Sequence, residues 1–178
     1  MQIRTATPDD AAAILAIYAP VVRDTPVSFE TEAPSVDTMR SRIAQTLRRF
    51  PWLVGLDGAG QVCGYVYAGP YAERAAYRWS VTVTVYVHAG CRRDGVGRRL
   101  YAALLQQLQD LGYCQAYAGI TLPNAGSVGL HEAMGFSRVG VFHNAGHKLG
   151  RWHDVGWWQR TLQQPDPPPE PRAFTASA

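Results

Sequence analysis

Residues 79–111 constrain this chain more than any other stretch. Trp79-Ser-Val-Thr-Val-Thr-Val-Tyr-Val-His88 alternates β-branched and polar residues with period two, the pattern of a strand. Leu100, Leu104, Leu105, Leu108 and Leu111 recur at helical spacing and predict an amphipathic helix. Between them, Ala-Gly-Cys-Arg92-Arg-Asp-Gly95-Val-Gly97-Arg98-Arg99 runs from the strand into the helix N-terminus. The first helical turn leaves N–H groups without internal partners, and the macrodipole adds partial positive charge there. Gly95 and Gly97 carry no Cβ, so an anion can approach the backbone, and Arg92, Arg93, Arg98 and Arg99 supply full charge around it. The combination predicts a pyrophosphate site. Two rivals are excluded by spacing. Arg98 to Leu100 offers no third glycine for a dinucleotide-binding fingerprint, and there is no Gly-Lys-Ser/Thr of a P-loop, the chain's only lysine being Lys148.

The 178 residues suffice for one domain with a real core. Charged residues make up 17% of the chain and the formal net charge is +3, a mild excess that suits an anionic ligand but forms no long basic run of the nucleic-acid kind. Cys63, Cys91 and Cys114 show no Cys-x-x-Cys spacing, which suits a reducing, cytoplasmic setting. No apolar run approaches the ~20 residues of a membrane span.

In chain order, Gln2 to Ala6 reads as a strand. Thr7-Pro8-Asp9-Asp10 then starts a helix that runs to about Pro20 or Val22. Residues 23–34 read as a loop, and Ser35 caps a second helix to about Phe50. Trp52–Leu56 and Gln61–Gly69 read as a hairpin, Pro70–Arg78 as a connector, and Cys114–Leu122 as a strand. Pro123-Asn124 opens a helix to about Met134, with Gly135 placed to end it. Ser137–His143 and Gly150–Leu162 read as the last strands, with Asn144-Ala145-Gly146 as the turn between them. From Gln163 the chain holds five of its twelve prolines, so 1–162 is expected to be the folded domain and 163–178 a disordered or loosely docked tail.

Arg92-Arg-Asp-Gly95-Val-Gly97 resembles the Gln/Arg-x-x-Gly-x-Gly/Ala signature of the GNAT acyl-CoA N-acyltransferases. Further blocks narrow the likeness to the phosphinothricin N-acetyltransferase branch. They are Tyr67-Ala-Gly-Pro70, Arg74 with Tyr77, Trp79, Thr84-Val-Tyr-Val87, Leu122-Pro-Asn124, Leu130-His-Glu-Ala133, Gly146-His-Lys148, Trp152-His-Asp-Val-Gly156 and Trp158-Gln159. The resemblance implies an α/β GNAT fold. Its mixed, mostly antiparallel central sheet is splayed between strands 4 and 5, with helices on both faces. It also implies acetyl-CoA as acyl donor, a small amine as acceptor, and a homodimer, with no nucleic-acid or membrane partner.

Residue by residue, the resemblance assigns Val85, Tyr86 and Val87 to the pantetheine, with a backbone N–H near Tyr86 polarising the thioester. It assigns Arg92, Arg93, Asp94, Gly95, Val96, Gly97 and Arg98 to the pyrophosphate, and Asn124, also a helix cap, to the cofactor. His131 matches the histidine proposed as a catalytic residue in this branch, and its titration range suits proton transfer near neutrality. Arg74 and Tyr77 match acceptor positions, and Phe29 and Val155 are expected to line the same pocket. Two departures stand out. The branch usually carries a glutamate base where this chain has Thr82, whose hydroxyl does not ionise usefully but can hold a water. A basic residue two positions before Arg74 is Ala72 here.

The expected activity is acetylation of the α-amine of a small amino acid or analogue, of the phosphinothricin or methionine sulfoximine or sulfone type. Another small amine, and a catalytically weak acyl-CoA-binding protein, are the alternatives that Thr82 raises. His143, His147 and His153 lack the regular spacing and cysteine partners of a metal site, and none is expected. Trp152, Trp157 and Trp158 read as core or dimer packing.

Overall fold

A computed structural model describes residues 1–175. The elements in chain order are β1 Gln2–Thr5, α1 Ala11–Asp24, α2 Val36–Leu47, β2 Trp52–Leu56, β3 Val62–Pro70, β4 Ser80–Val87, α3 Val96–Asp110, β5 Gln115–Leu122, α4 Ala125–Ala133, β6 Ser137–Lys148 and β7 Arg151–Thr161. The seven strands form one sheet in the order β1-β2-β3-β4-β5-β7-β6. Every neighbouring pair is antiparallel except β4 and β5, which run parallel. No helix among the described residues is long and apolar enough to cross a membrane.

Strand alternation divides the core in two. On one face Leu53, Val66 and Val81 meet the leucine stripe of α3, where Leu100, Leu104 and Leu108 are fully buried. On the other, Trp52, Val54 and Tyr65 meet Ile14, Tyr18 and Val22 of α1 and Met39 and Ile43 of α2. The N-terminal helix start works as its sequence requires. The Asp10 carboxylate accepts from the Thr7 N–H at 2.7 Å and grips the Arg4 guanidinium at 2.7 and 2.8 Å. Ser35 caps α2 by accepting from the Thr38 N–H at 3.1 Å.

Several boundaries differ from expectation. α1 continues past Pro20 to Asp24, because buried Val21 and Val22 still face the core. Asn144-Ala145-Gly146 is not a turn. β6 runs through it to Lys148 with a bulge between Phe142 and Gly146, and the chain reverses at Leu149 and Gly150, both at positive φ. Asn144 takes its positive φ inside the bulge, with its N–H held by the Asp154 carboxylate at 2.9 Å. The proline-rich segment after Thr161 has no regular structure, yet its backbone is docked. Trp79 Nε1 donates to Pro169 O at 2.7 Å, Arg172 N to Leu111 O at 2.8 Å and Phe174 N to Arg49 O at 3.1 Å.

Candidate active site

The site is built on the one parallel strand pair among the described residues. β4 and β5 are in register only over Ser80–Thr82 and Gln115–Tyr117. Beyond Thr82 the strands part, while β4 stays paired with β3 up to Val87. The β4 edge over Val83–Val87 therefore faces a cleft, and its backbone polar groups have no strand to satisfy them there. Val83, Thr84, Val85 and Tyr86 line one wall of the cleft, and Gly119, Ile120 and Thr121 of β5 line the other. Val27, Tyr101, Asn124, Ser127 and His131 close its ends and floor.

The basic loop lies where β4 hands over to α3. Gly95 sits at φ 74°, a left-handed conformation suited to glycine, and no side chain caps the helix. The first-turn N–H groups of this 15-residue helix are thus left for an external acceptor. Arg93 also takes positive φ, curling the loop, and Arg92, Arg93, Asp94, Arg98 and Arg99 are all exposed around it. Val96 and Gly97 are buried, and a Cβ on Gly97 would meet Leu130 of α4 at 3.0 Å.

His131 is 4% exposed, in the last turn of α4. Its Nδ1 lies 2.7 Å from Ser127 O, a pure acceptor, so Nδ1 carries the proton. Nε2 therefore accepts from the Tyr101 hydroxyl at 2.8 Å. Burial holds the imidazole below its ordinary titration range, outweighing the Ser127 bond, so the neutral ring is favoured. Asn124 caps α4 by accepting from the Ser127 N–H at 3.1 Å, which fixes the turn that carries the His131 partner.

Thr82 is half-buried where the strands begin to part, with its hydroxyl 3.5 Å from Gly69 O and 3.4 Å from Pro70 O. Its register partner Tyr117 opens onto an aromatic groove with Tyr71, Tyr77 and Trp157. Tyr71 lies 4.4 Å from Tyr117 and 5.4 Å from Tyr77 between ring centres. Tyr86 points to the opposite end of this face, edge-on to Tyr18 at 5.2 Å, and burial raises its phenol far above the usual range.

The model of the acetyltransferase (GNAT) domain matches residues 3–157. The chain belongs to the GNAT acetyltransferase family. Phosphinothricin N-acetyltransferase of Streptomyces viridochromogenes is 41% identical over 175 residues, spanning 98% of this chain and 95% of the relative. The L-methionine sulfoximine/L-methionine sulfone acetyltransferase of Pseudomonas aeruginosa is 35% identical over 167 residues, spanning 90% of this chain and 94% of the relative. A GNAT superfamily phosphinothricin acetyltransferase from Sinorhizobium meliloti, solved in complex with AcCoA, superposes with a TM-score of 0.87 at 33% identity. That match covers 90% of this chain and 88% of the other.

As a GNAT enzyme the chain is an N-acetyltransferase, with acetyl-CoA as the acetyl donor. The residues present fit that donor, since an uncapped helix N-terminus ringed by arginines leads directly to the unpaired edge of β4.

The GNAT fold brings Val85, Tyr86, Asn124 and His131 to one cleft and sets Val87, Arg92 to Arg98 and the first turn of α3 at the end of the same strand. It does not gather the four acceptor positions. Tyr77 lines the aromatic groove, while Arg74, on the same turn, stands exposed beside it. Val155 lies on β7 opposite Thr121 and Phe142, two residues before Trp157. Phe29 packs against Gly146 and His153 instead of entering the cleft, and Val27 enters it. Among the tryptophans, Trp158 is core, Trp157 walls the groove, and Trp152 is 60% exposed. The three histidines are separately engaged. His143 pairs with Asp154 at 2.8 Å, His153 donates to Lys148 O at 3.0 Å, and His147 lies against Trp152.

Sequence reasoning missed Tyr101, which looks like another core residue of a leucine-rich helix. It also missed Tyr71, for which tyrosine on either side of Arg74 was a signal, and Tyr117, for which there was none, and it read Trp157 as packing where it walls the groove.

Proposed function

We propose that this GNAT enzyme acetylates the α-amino group of a small amino acid or analogue of the phosphinothricin, methionine sulfoximine or methionine sulfone type. The observation that carries the proposal is the juxtaposition at Thr82. There the gap between β4 and β5 opens beside the groove of Tyr71, Tyr77, Tyr117 and Trp157. Donor and acceptor can meet there across one strand, which converts a bimolecular encounter into a positioned one. The relatives named for these substrates match over nearly the whole chain and support the acceptor class.

Acetyl-CoA supplies an activated thioester. The arginines and first-turn N–H groups around Gly95 hold its pyrophosphate, and the free edge of Val85, Tyr86 and Val87 receives its amide-bearing arm. The Val85 backbone N–H, which faces the gap, serves as fixed donor to developing oxyanion charge, whereas that of Tyr86 faces β3, on the side where His88 N bonds Cys63 O. Tyr77 lines the acceptor groove, and exposed Arg74 reads the acceptor's carboxylate. Thr82 holds a water in place of a carboxylate base, and His131, kept neutral, takes up a proton through the Tyr101 hydroxyl. The enzyme is proposed to be a cytoplasmic homodimer. Exposed Val139 and Phe142 of the edge strand β6, which form the outer wall of the aromatic groove, and Trp152 of β7 give an apolar rim on which a second copy would close the groove.

Thiol release with acetyl-CoA and a panel of amino acids, including phosphinothricin and methionine sulfone, tests the reading. Turnover on a member of the panel is expected. Silence across the panel, with acetyl-CoA binding intact by calorimetry, would sink the amino-acid assignment and favour another amine or a binding-only role.

A further inference from the structure

Lys148 is the chain's only lysine among 17 basic residues, and it is 7% exposed at the end of β6. Among the described residues no carboxylate bonds its ammonium. Nζ instead donates to Val22 O and to Ser28 O, each at 2.6 Å. Val22 belongs to the last turn of α1, whose carbonyls lack helical partners and carry the negative end of the helix dipole. Ser28 lies in the middle of the irregular segment 25–35 that joins α1 to α2. A compact tetrahedral donor can bond two carbonyls from separate segments at this distance, whereas a planar guanidinium has a different fork.

The same hairpin grips the segment at a second point. A Cβ on Gly146 would stand 2.3 Å from the Phe29 ring, so only glycine lets that ring lie against the strand. His153, itself bonded to Lys148 O, flanks Phe29 with ring centres 6.3 Å apart. The segment is also fixed from elsewhere, by Tyr18 Oη to Ser28 Oγ at 2.7 Å and by Arg42 to Glu30 at 2.6 Å. One residue before Ser28, Val27 lines the cleft between β4 and β5, with its carbonyl 3.5 Å from Thr121 Oγ1.

We propose that Lys148 is a positioning residue that seats the 25–32 loop on the β6–β7 hairpin and thereby sets the Val27 wall of the cleft between β4 and β5, where donor and acceptor meet. Lys148 touches neither donor nor acceptor, and acts through Ser28 on Val27 and Phe29. The acceptor part rests on the function proposed above. The seating itself does not.

The test compares the wild type with Lys148→Met, which keeps the stem and removes the donors. A glutamyl endopeptidase reports the loop directly, because Glu30 and Glu32 lie in it. Cleavage there, well below the melting temperature, is expected to quicken roughly tenfold or more as local opening becomes cheaper. KM for the amine should rise about tenfold while kcat changes less than about threefold, as loss of acceptor positioning requires. Calorimetry should show the acetyl-CoA Kd changing less than the amine KM, since the pyrophosphate loop is on other elements and Val27 reaches only the cleft. A role confined to stability would lower kcat or the active fraction and leave KM alone, and that result overturns the proposal. So does unchanged cleavage, or a freed loop with unchanged KM. If Lys148→Met does not fold, Gly146→Ala dislodges Phe29 from the other side of the seat and should give the same pattern. A wild type that acetylates no amine would defeat the acceptor reading alone, whereas protease protection in the variants would defeat the seating.

Discussion

The hydroxyl of Tyr101 donates to Nε2 of His131 across 2.8 Å, between two side chains that are both buried. The bond has only one direction, because Nδ1 is committed to the Ser127 carbonyl at 2.7 Å. His131 is thus a neutral acceptor whose one ring lone pair is engaged by a phenol. Tyr101→Phe leaves that lone pair buried and unpaired, at a cost of about 1–3 kcal/mol in stability. If the phenol relays the proton, kcat should also fall on the order of 100-fold while KM for both substrates holds. Chemical denaturation and steady-state kinetics on the same preparation separate the two effects. Activity that falls only in proportion to the folded fraction would leave Tyr101 a packing residue.

The same pair predicts an acid-side instability. Burial holds His131 below its ordinary value of 6.5 in the folded protein, so between 6.5 and its lowered value the unfolded chain binds a proton that the folded chain does not. Stability is therefore complete above pH 6.5 and declines as the pH falls through that window, with a limiting slope of about 1.4 kcal/mol per pH unit. Asp10 contributes in a separate window. Its own burial pushes its carboxyl up, but Arg4 and the Thr7 N–H together hold it below 3.8, so its stabilisation is lost only in stronger acid. Urea unfolding at pH 7.5 and pH 5 should show the His131 loss in the wild type. His131→Gln, less stable overall, should show a flatter difference, and an equal difference in both proteins would remove His131 as the source.

Thr82 invites the opposite kind of substitution. A carboxylate at this half-buried position would stand where β4 and β5 begin to part, next to the aromatic groove. Thr82→Glu is expected to raise kcat/KM for a reactive amine by roughly 10- to 100-fold near neutral pH and to extend activity toward acid, because an ionised group replaces a hydroxyl that cannot accept the proton. A pH–rate profile of the variant decides the matter. An unchanged profile would mean that proton removal does not pass Thr82 at all.

What the chain states locally, the structure repeats. The alternation through Val87, the leucine stripe of α3, the Asn124 cap and the positive φ of Gly135 follow from neighbours within a few residues. The misread features depend on partners far along the chain. Asn144 and Gly146 look like a turn, but Asp154 holds Asn144 in a bulge and Phe29 occupies the space beside Gly146. Lys148 meets a carbonyl 126 residues away, and Tyr101 meets a histidine 30 residues away. Neither pairing has a periodicity to betray it. Arg74 was legible as a residue type but not as a position, since the turn that carries it leaves its side chain exposed beside the groove.

The segment after Gln164 supplies the last prediction. Its composition argues against a core, yet its backbone straps the ends of three elements. Pro169 O accepts the Trp79 indole at the entry to β4, Arg172 N bonds Leu111 O just past α3, and Phe174 N bonds Arg49 O just past α2. Arg78 pairs with Glu170 at 2.6 Å, and the Arg172 guanidinium reaches Asp110 O. Gly112, at φ 95°, brings the chain beneath Pro171, where a Cβ would meet Pro171 Cα at 3.5 Å. A chain ending at Gln164 should lose about 3 kcal/mol and melt roughly 6–12 °C lower. Trp79→Phe alone should account for about 1 kcal/mol of that. Acetyl-CoA affinity should not change, because the strap closes the C-terminal end of α3, about 20 Å along the helix from Gly95. Scanning calorimetry of the truncated chain, with and without acetyl-CoA, measures both. A truncated chain that melts with the full one would show that these contacts are not holding the elements together, and a weakened acetyl-CoA response would show that the strap acts on the cofactor end of the helix as well.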